Sequence, residues 1–156
     1  IYLAEYGRSQ FFHAGKVANV LSATNIQGLQ AAMPAEGHIA ILISHTGENE
    51  RLVEIAKMLK RNKTKIIVMT AKRNGSIASF ADELLYAAAQ KKVEELWNSM
   101  FFASGKYLLD ILYGMEFSRK YEENLRLNKK YEQSGEKILW GIKEATESIR
   151  NEQNKN

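Results

Sequence analysis

The run Ile39-Ala40-Ile41-Leu42-Ile43 passes straight into Ser44-His45-Thr46-Gly47-Glu48-Asn49-Glu50, and this junction restricts the fold more than any other stretch. A short, apolar, largely β-branched run predicts a strand buried on both faces, as in a parallel sheet. At Ser44 the chain turns polar, and Gly47 permits a tight turn or a close backbone approach. From Glu48 onward Leu52, Ile55, Ala56 and Leu59 recur at helical spacing, with charge on the other face. A strand feeding a helix through such a turn leaves the first helical amides unpaired and aimed into a crevice. Together with the positive end of the helix dipole and the hydroxyls of Ser44 and Thr46, they suit a phosphate group. A plain cap explains the same residues, with Ser44 or Thr46 accepting from helix amides and Glu50 in the first turn. The two readings are compatible, because an anion can share a capped terminus.

Upstream, Ile1 to Glu5 reads as a strand ending in Tyr6-Gly7-Arg8-Ser9, with Gly7 at a turn and Ser9 opening a helix. A short strand over Leu21 to Thr24 and a short helix over Ile26 to Met33 follow. Met33 to Gly37 is a turn that holds the single proline. Downstream, Asn62-Lys63-Thr64 ends the central helix, and Lys65 to Thr70 is a second buried-type strand. Ala71 to Ser76 forms a loop, Ile77 to Ala81 one helical turn, and Glu83 to Ala88 the last strand. Val93 to Tyr113 has a broad apolar helical face, and Phe117 to Tyr131 continues as a polar helix. Ser134-Gly135 interrupts it before the stripe Ile138, Leu139, Ile142, Ala145 and Ile149, and a polar tail closes the chain.

Strands alternating with helices imply a parallel sheet covered on both faces. In such sheets ligands bind beyond the carboxyl ends of the strands. The loops after Tyr6, Ser44 and Thr70 are then expected to converge, with Ser9, Ser44, Thr46 and Asn49 lining one crevice. The 156 residues fit one sizeable core, and the absence of cysteine excludes disulfides and thiolate metal sites. No run of membrane-spanning length is present. The net charge of +4 is spread among interleaved acids and bases, which argues against a nucleic-acid surface in this chain.

The segment ILISHTGENERLVEIAKMLKRNKTKIIVMT, Ile41 to Thr70, resembles the SIS (sugar isomerase) domain family, with its strand, Ser-x-Ser/Thr-Gly-Glu-Thr loop, helix and next strand. EYGRSQFFHAGKVA, Glu5 to Ala18, resembles the family's first Gly-x-Ser turn, and GSIASFADELLYAA, Gly75 to Ala88, its last strand. The resemblance implies a three-layer α-β-α sandwich with a five-stranded parallel sheet in the order 2-1-3-4-5, plus extra C-terminal helices. It implies a phosphosugar site at Gly7, Ser9, Ser44, His45, Thr46, Gly47, Glu48 and Asn49, where Asn49 replaces the family's usual Thr. It also implies a homodimer or higher homo-oligomer. Residues 1–133 are assigned to this domain and 134–156 to an additional amphipathic helix and tail.

Gly105 to Gln133 looks most like RpiR-type transcription regulators, in which a helix-turn-helix domain precedes the SIS domain and a phosphosugar is the effector. The abrupt start in a strand-like run suits a chain cut from such a protein, which would contact DNA only through that missing N-terminal domain. The expected location is cytoplasmic, with no membrane partner, metal or cofactor. An aldose-ketose isomerase is the alternative. It needs a base near a sugar carbon, and His13, His45, Glu48, Glu94 and Glu95 are the candidates, yet no pair of them forms an evident catalytic set. Binding without turnover is therefore the favoured expectation.

Overall fold

The computed structural model describes residues 1–89 and 96–153, with side chains described except at Thr24 and beyond residue 144. The elements are helices α1 (Tyr2–His13) and α2 (Thr24–Ala32), strand β1 (Ile39–Ile43), helix α3 (Glu50–Arg61) and strand β2 (Lys65–Thr70). A short 3-10 helix (Ser76–Phe80), strand β3 (Glu83–Tyr86), and helices α4 (Trp97–Arg119) and α5 (Tyr121–Gln153) follow.

The strands form one parallel sheet in the order β1-β2-β3, with Ile39 opposite Lys65 and Ile67 opposite Glu83. Side chains alternate across the pleat, so β2 feeds two cores. Ile66 and Val68 point into a cluster with Ala31, Leu42, Ile55, Ala56, Leu59 and Ile77, which holds α2, α3 and the 3-10 helix on one face. Met69 points the other way, into a cluster with Leu3, Ala87 and Leu109 that holds α1 and α4. The expected three-layer α/β/α arrangement is therefore present. Asp82 fixes where β2 begins. Its carboxylate accepts from the Ile66 N–H at 2.8 Å and pairs with Lys60 at 2.8 Å, and both contacts hold it below the usual carboxylate range.

Five strands were expected, and the described residues contain three. Tyr2 to Glu5 is helix, because Leu3 and Gly7 are buried at helical spacing against Gly105 and Leu109 of α4. Gly7 is no turn. It is the gap in α1 that Leu109 fills, its carbons about 3.2–3.3 Å from where a Cβ would stand. Leu21 to Thr24 is not a strand either. Thr24 opens α2, and the Gln27 amide donates to the Leu21 carbonyl at 2.5 Å, holding the segment to the helix.

Two expectations about the C-terminal helices also change. The break falls at Lys120 rather than at Ser134-Gly135, and the Asn124 amide donates to the Phe117 carbonyl at 3.1 Å to close α4. α5 then runs unbroken through Ser134, whose hydroxyl turns back to the Lys130 carbonyl at 2.8 Å. Val93, Glu94 and Glu95 lie outside the described residues.

Candidate functional site

The carboxyl ends of β1 and β2 carry two loops that are locked together. The Ser44 N–H donates to the Met69 carbonyl at 2.9 Å and the Ala71 N–H to the His45 carbonyl at 3.1 Å, continuing the ladder past the sheet. The Ile77 N–H then donates to the Gly47 carbonyl at 3.0 Å. Gly47 has φ +71°, and its Cβ position would lie 3.2 Å from the Gly75 Cα. A left-handed glycine facing a second glycine is what allows the two backbones to touch.

Within the first loop every polar side chain has a defined task. Ser44 is buried, and its hydroxyl accepts from the Gly47 N–H at 3.1 Å, which leaves its own proton to donate. Thr46 is exposed and accepts from the Glu48 N–H at 3.3 Å. Asn49 is the N-cap of α3, its side-chain oxygen accepting from the Leu52 N–H at 3.1 Å, and its amide NH2 remains a donor. Among the described residues, the backbone N–H groups of Thr46, Asn49 and Glu50 have no acceptor. Hydroxyls, an amide and free N–H groups at the start of α3 therefore surround one small region, with Lys72 close enough to act on Glu48. This is a set of donors suited to an anion.

Glu48 faces the other loop. Its carboxylate accepts from the Ser76 hydroxyl and from the Ser76 N–H at 3.2 Å. These two bonds, the hydroxyl first, hold the carboxyl below the usual glutamate range against a small opposing cost of desolvation. Because the folded pKa is lowered, the stability this group contributes is present above the ordinary glutamate range. It is lost as the pH falls below the ordinary glutamate range and through the lowered folded value. A Glu48→Gln variant should therefore melt below the parent at pH 7 and converge with it in acid, as read by thermal unfolding across pH.

His45 points inward instead of into the crevice. Its ring stacks on Phe101 at 4.7 Å and meets Trp97 edge-on at 4.3 Å. Burial pushes its pKa down and a hydrogen bond with Asn98 opposes this, so the imidazole is neutral at pH 7. His45 Nε2 and Trp97 Nε1 are buried with no hydrogen-bond partner among the described residues.

Ser44 to Asn49 share one loop between β1 and α3, with His45 serving the packing. Gly7 and Ser9 lie within α1, Gly7 against Leu109 and Ser9 exposed, and they form no strand-to-helix turn. His13 is tied to Asn128 on α5 at 2.6 Å. Sequence reasoning missed Ser76 as the partner of Glu48. The only local trace of it is a serine following a glycine at the end of the second loop. Among the described residues no group of three His, Asp or Glu side chains is placed to hold a metal ion, and no helix is long and apolar enough to cross a membrane.

A family model described as the SIS domain matches residues 2–106. The chain belongs to the SIS family. No curated protein sequence matches it. Among solved structures, this SIS chain is similar to the Vibrio vulnificus NanR protein complexed with ManNAc-6P, at TM-score 0.72 and 16% identity over 83% of this chain and 50% of that one. It is similar to the sugar isomerase domain of an RpiR transcription factor from Sphaerobacter thermophilus, at TM-score 0.72 and 16% identity, covering 85% and 72%. It is also similar to a Methanococcus jannaschii protein whose structure was taken to imply 3-hexulose-6-phosphate isomerase function, at TM-score 0.59 and 18% identity, covering 79% and 67%. The SIS chain spans half the length of the NanR chain. At these identities the likeness is one of fold.

Proposed function

We propose that this SIS chain is the phosphosugar-binding effector domain of a transcription regulator, sensing a sugar phosphate rather than converting it. The loop Ser44 to Asn49 carries the reading, as a receptor of hydroxyls and N–H groups at the start of α3. Of the candidate bases among the described residues, His45 is packed between aromatic rings, Glu48 is held by Ser76 and His13 is held by Asn128, while Glu94 and Glu95 lie outside them. The likeness to NanR and to the RpiR domain supports a regulator. In this reading the chain acts in the cytoplasm as a homodimer, and the ligand shifts the balance between two arrangements of attached DNA-binding domains. α4 offers one candidate subunit surface, with Tyr107, Ile111 and Met115 exposed at helical spacing. The proposed site comprises Ser44, Thr46, Gly47, Glu48 and Asn49, with His45 beneath it. Gly7 and Ser9 are not included.

The test is calorimetric titration with a panel of phosphorylated sugars. Ser44→Ala and Thr46→Ala should each weaken binding by about 1–3 kcal/mol, the usual cost of losing a hydrogen bond to a charged group. Unchanged affinity in both variants places the ligand elsewhere. Interconversion of aldose and ketose phosphates by the purified protein would establish the isomerase reading instead.

A further inference from the structure

The loop Ser44 to Asn49 reaches both faces of the sheet. Side chains alternate along β1 and its extension, so Leu42 enters the core under α3 while Ile43 packs against the core under α4. Ser44 continues the first direction and His45 the second. The backbone here is fixed, because the His45 carbonyl accepts from the Ala71 N–H at 3.1 Å and from the Thr70 hydroxyl at 3.3 Å. The His45 ring and the polar groups of the loop therefore move as one piece.

On the α4 side the ring has a socket built from the first turns of that helix. It stacks on Phe101 at 4.7 Å with the planes 26° apart, meets the Trp97 ring at 4.3 Å and hydrogen-bonds Asn98. Nε2 has no partner among the described residues, so the bond with Asn98 runs through Nδ1. Phe101 in turn packs against the cluster of Leu3, Met69, Ala87 and Leu109. α4 begins without a side-chain cap, and its firm attachments lie further along. The Ser104 hydroxyl donates to the Ala88 carbonyl at 2.8 Å, and Gly105 packs against Leu3. The socket can therefore open while α4 stays in place.

This joint is balanced between closed and open. His45 Nε2 and Trp97 Nε1 are buried at the contact with no hydrogen-bond partner among the described residues. Parting the rings loses stacking and the Asn98 bond, yet it gives both nitrogens to water, and the two effects oppose one another. Packing alone would be better served by a phenylalanine, which buries no such nitrogen.

We propose that His45 couples the loop to α4, so that an anion on the loop and the docking of His45 against Trp97, Asn98 and Phe101 strengthen one another. The docked ring holds the loop in the shape that gathers Ser44, Thr46 and Asn49. An anion bound there favours the docked state, and docking favours the anion by the same factor. The coupling rests on the reading of this loop as the anion receptor.

The probe is inorganic phosphate at constant ionic strength, added to the whole chain carrying Trp140→Phe, which leaves Trp97 as the only tryptophan. Calorimetry measures binding, and Trp97 emission should change along the same saturable curve. In that background His45→Ala should weaken phosphate binding roughly tenfold. Asn98 is exposed, and Asn98→Ala, which removes the hydrogen bond alone, should weaken it about fivefold. His45→Phe keeps the stacking and loses the same bond, so it should match Asn98→Ala, and the two together should lose no more than either. Thermal melts followed by circular dichroism identify any variant that does not fold, and Asn98→Ala and His45→Phe carry the test if His45→Ala is one. A parent that binds no phosphate would overturn the receptor reading and the coupling together. Saturable binding with unchanged Trp97 emission, affinity indifferent to Asn98→Ala and His45→Phe, or additive losses in the pair would each overturn the coupling alone.

Discussion

Gly47→Ala is expected to destabilise the fold by about 2–4 kcal/mol and to abolish most sugar-phosphate affinity. Two costs add at this residue. The backbone has φ +71°, where an L side chain costs about 1–2 kcal/mol. The new methyl would also stand 3.2 Å from the Gly75 Cα and 3.3 Å from the Thr70 Oγ1, in a place lined by backbone and a fully buried threonine. Gly75→Ala separates the two costs. Its φ is −69°, so only crowding remains, against the Gly47 Cα at 3.0 Å and the Thr46 carbonyl at 3.2 Å. It should cost about 1–3 kcal/mol, as overpacking does. Denaturant unfolding measures both, and calorimetry reads the binding. Two variants as stable as the parent would show that the loops after β1 and β2 are not in contact in solution.

The second large effect lies where α1 crosses α4. Leu3 is buried, and one of its methyl carbons lies 2.5 Å from where a Cβ on Gly105 would stand, with the Met69 sulfur at 3.2 Å. Leu3→Ala should cost about 2–5 kcal/mol, because the site sits between two rigid elements and closes poorly. Gly105→Ala alone should also destabilise, since the gain in helix propensity of about 1 kcal/mol does not offset the collision. Together the two changes should be less damaging than their sum, because the added methyl occupies part of the space that Leu3 vacates. A double-mutant cycle in urea reads this directly, and strict additivity would show that the two residues do not touch.

The parts legible in the sequence are those whose causes are local. β1, β2 and the loop between β1 and α3 were readable because a buried run, a glycine and a capping Asn49 lie next to one another. α1 was misread because Ile1 to Ala4 is too short to separate a strand from a helix. The residue that decides is Leu109, far along the chain, which turns Gly7 from a turn signal into a packing gap. The supposed Gly-x-Ser turn fell with it, and Ser9 stands exposed on α1. Ser76 went unnoticed because nothing near it in sequence announces Glu48 as its partner. Ser134-Gly135 was overrated as a breaker. A 33-residue helix absorbs one glycine at a cost of about 1 kcal/mol, and the serine bonds within the helix.

β1 is hydrogen-bonded along one side only among the described residues, and Ile39 at its start is exposed. Its far side is a row of backbone donors and acceptors that invites another strand. A strand lying there in parallel would end next to Ser44 and form the second wall of the anion receptor. Whatever occupies that margin would therefore also set the width of the mouth of the proposed phosphosugar site.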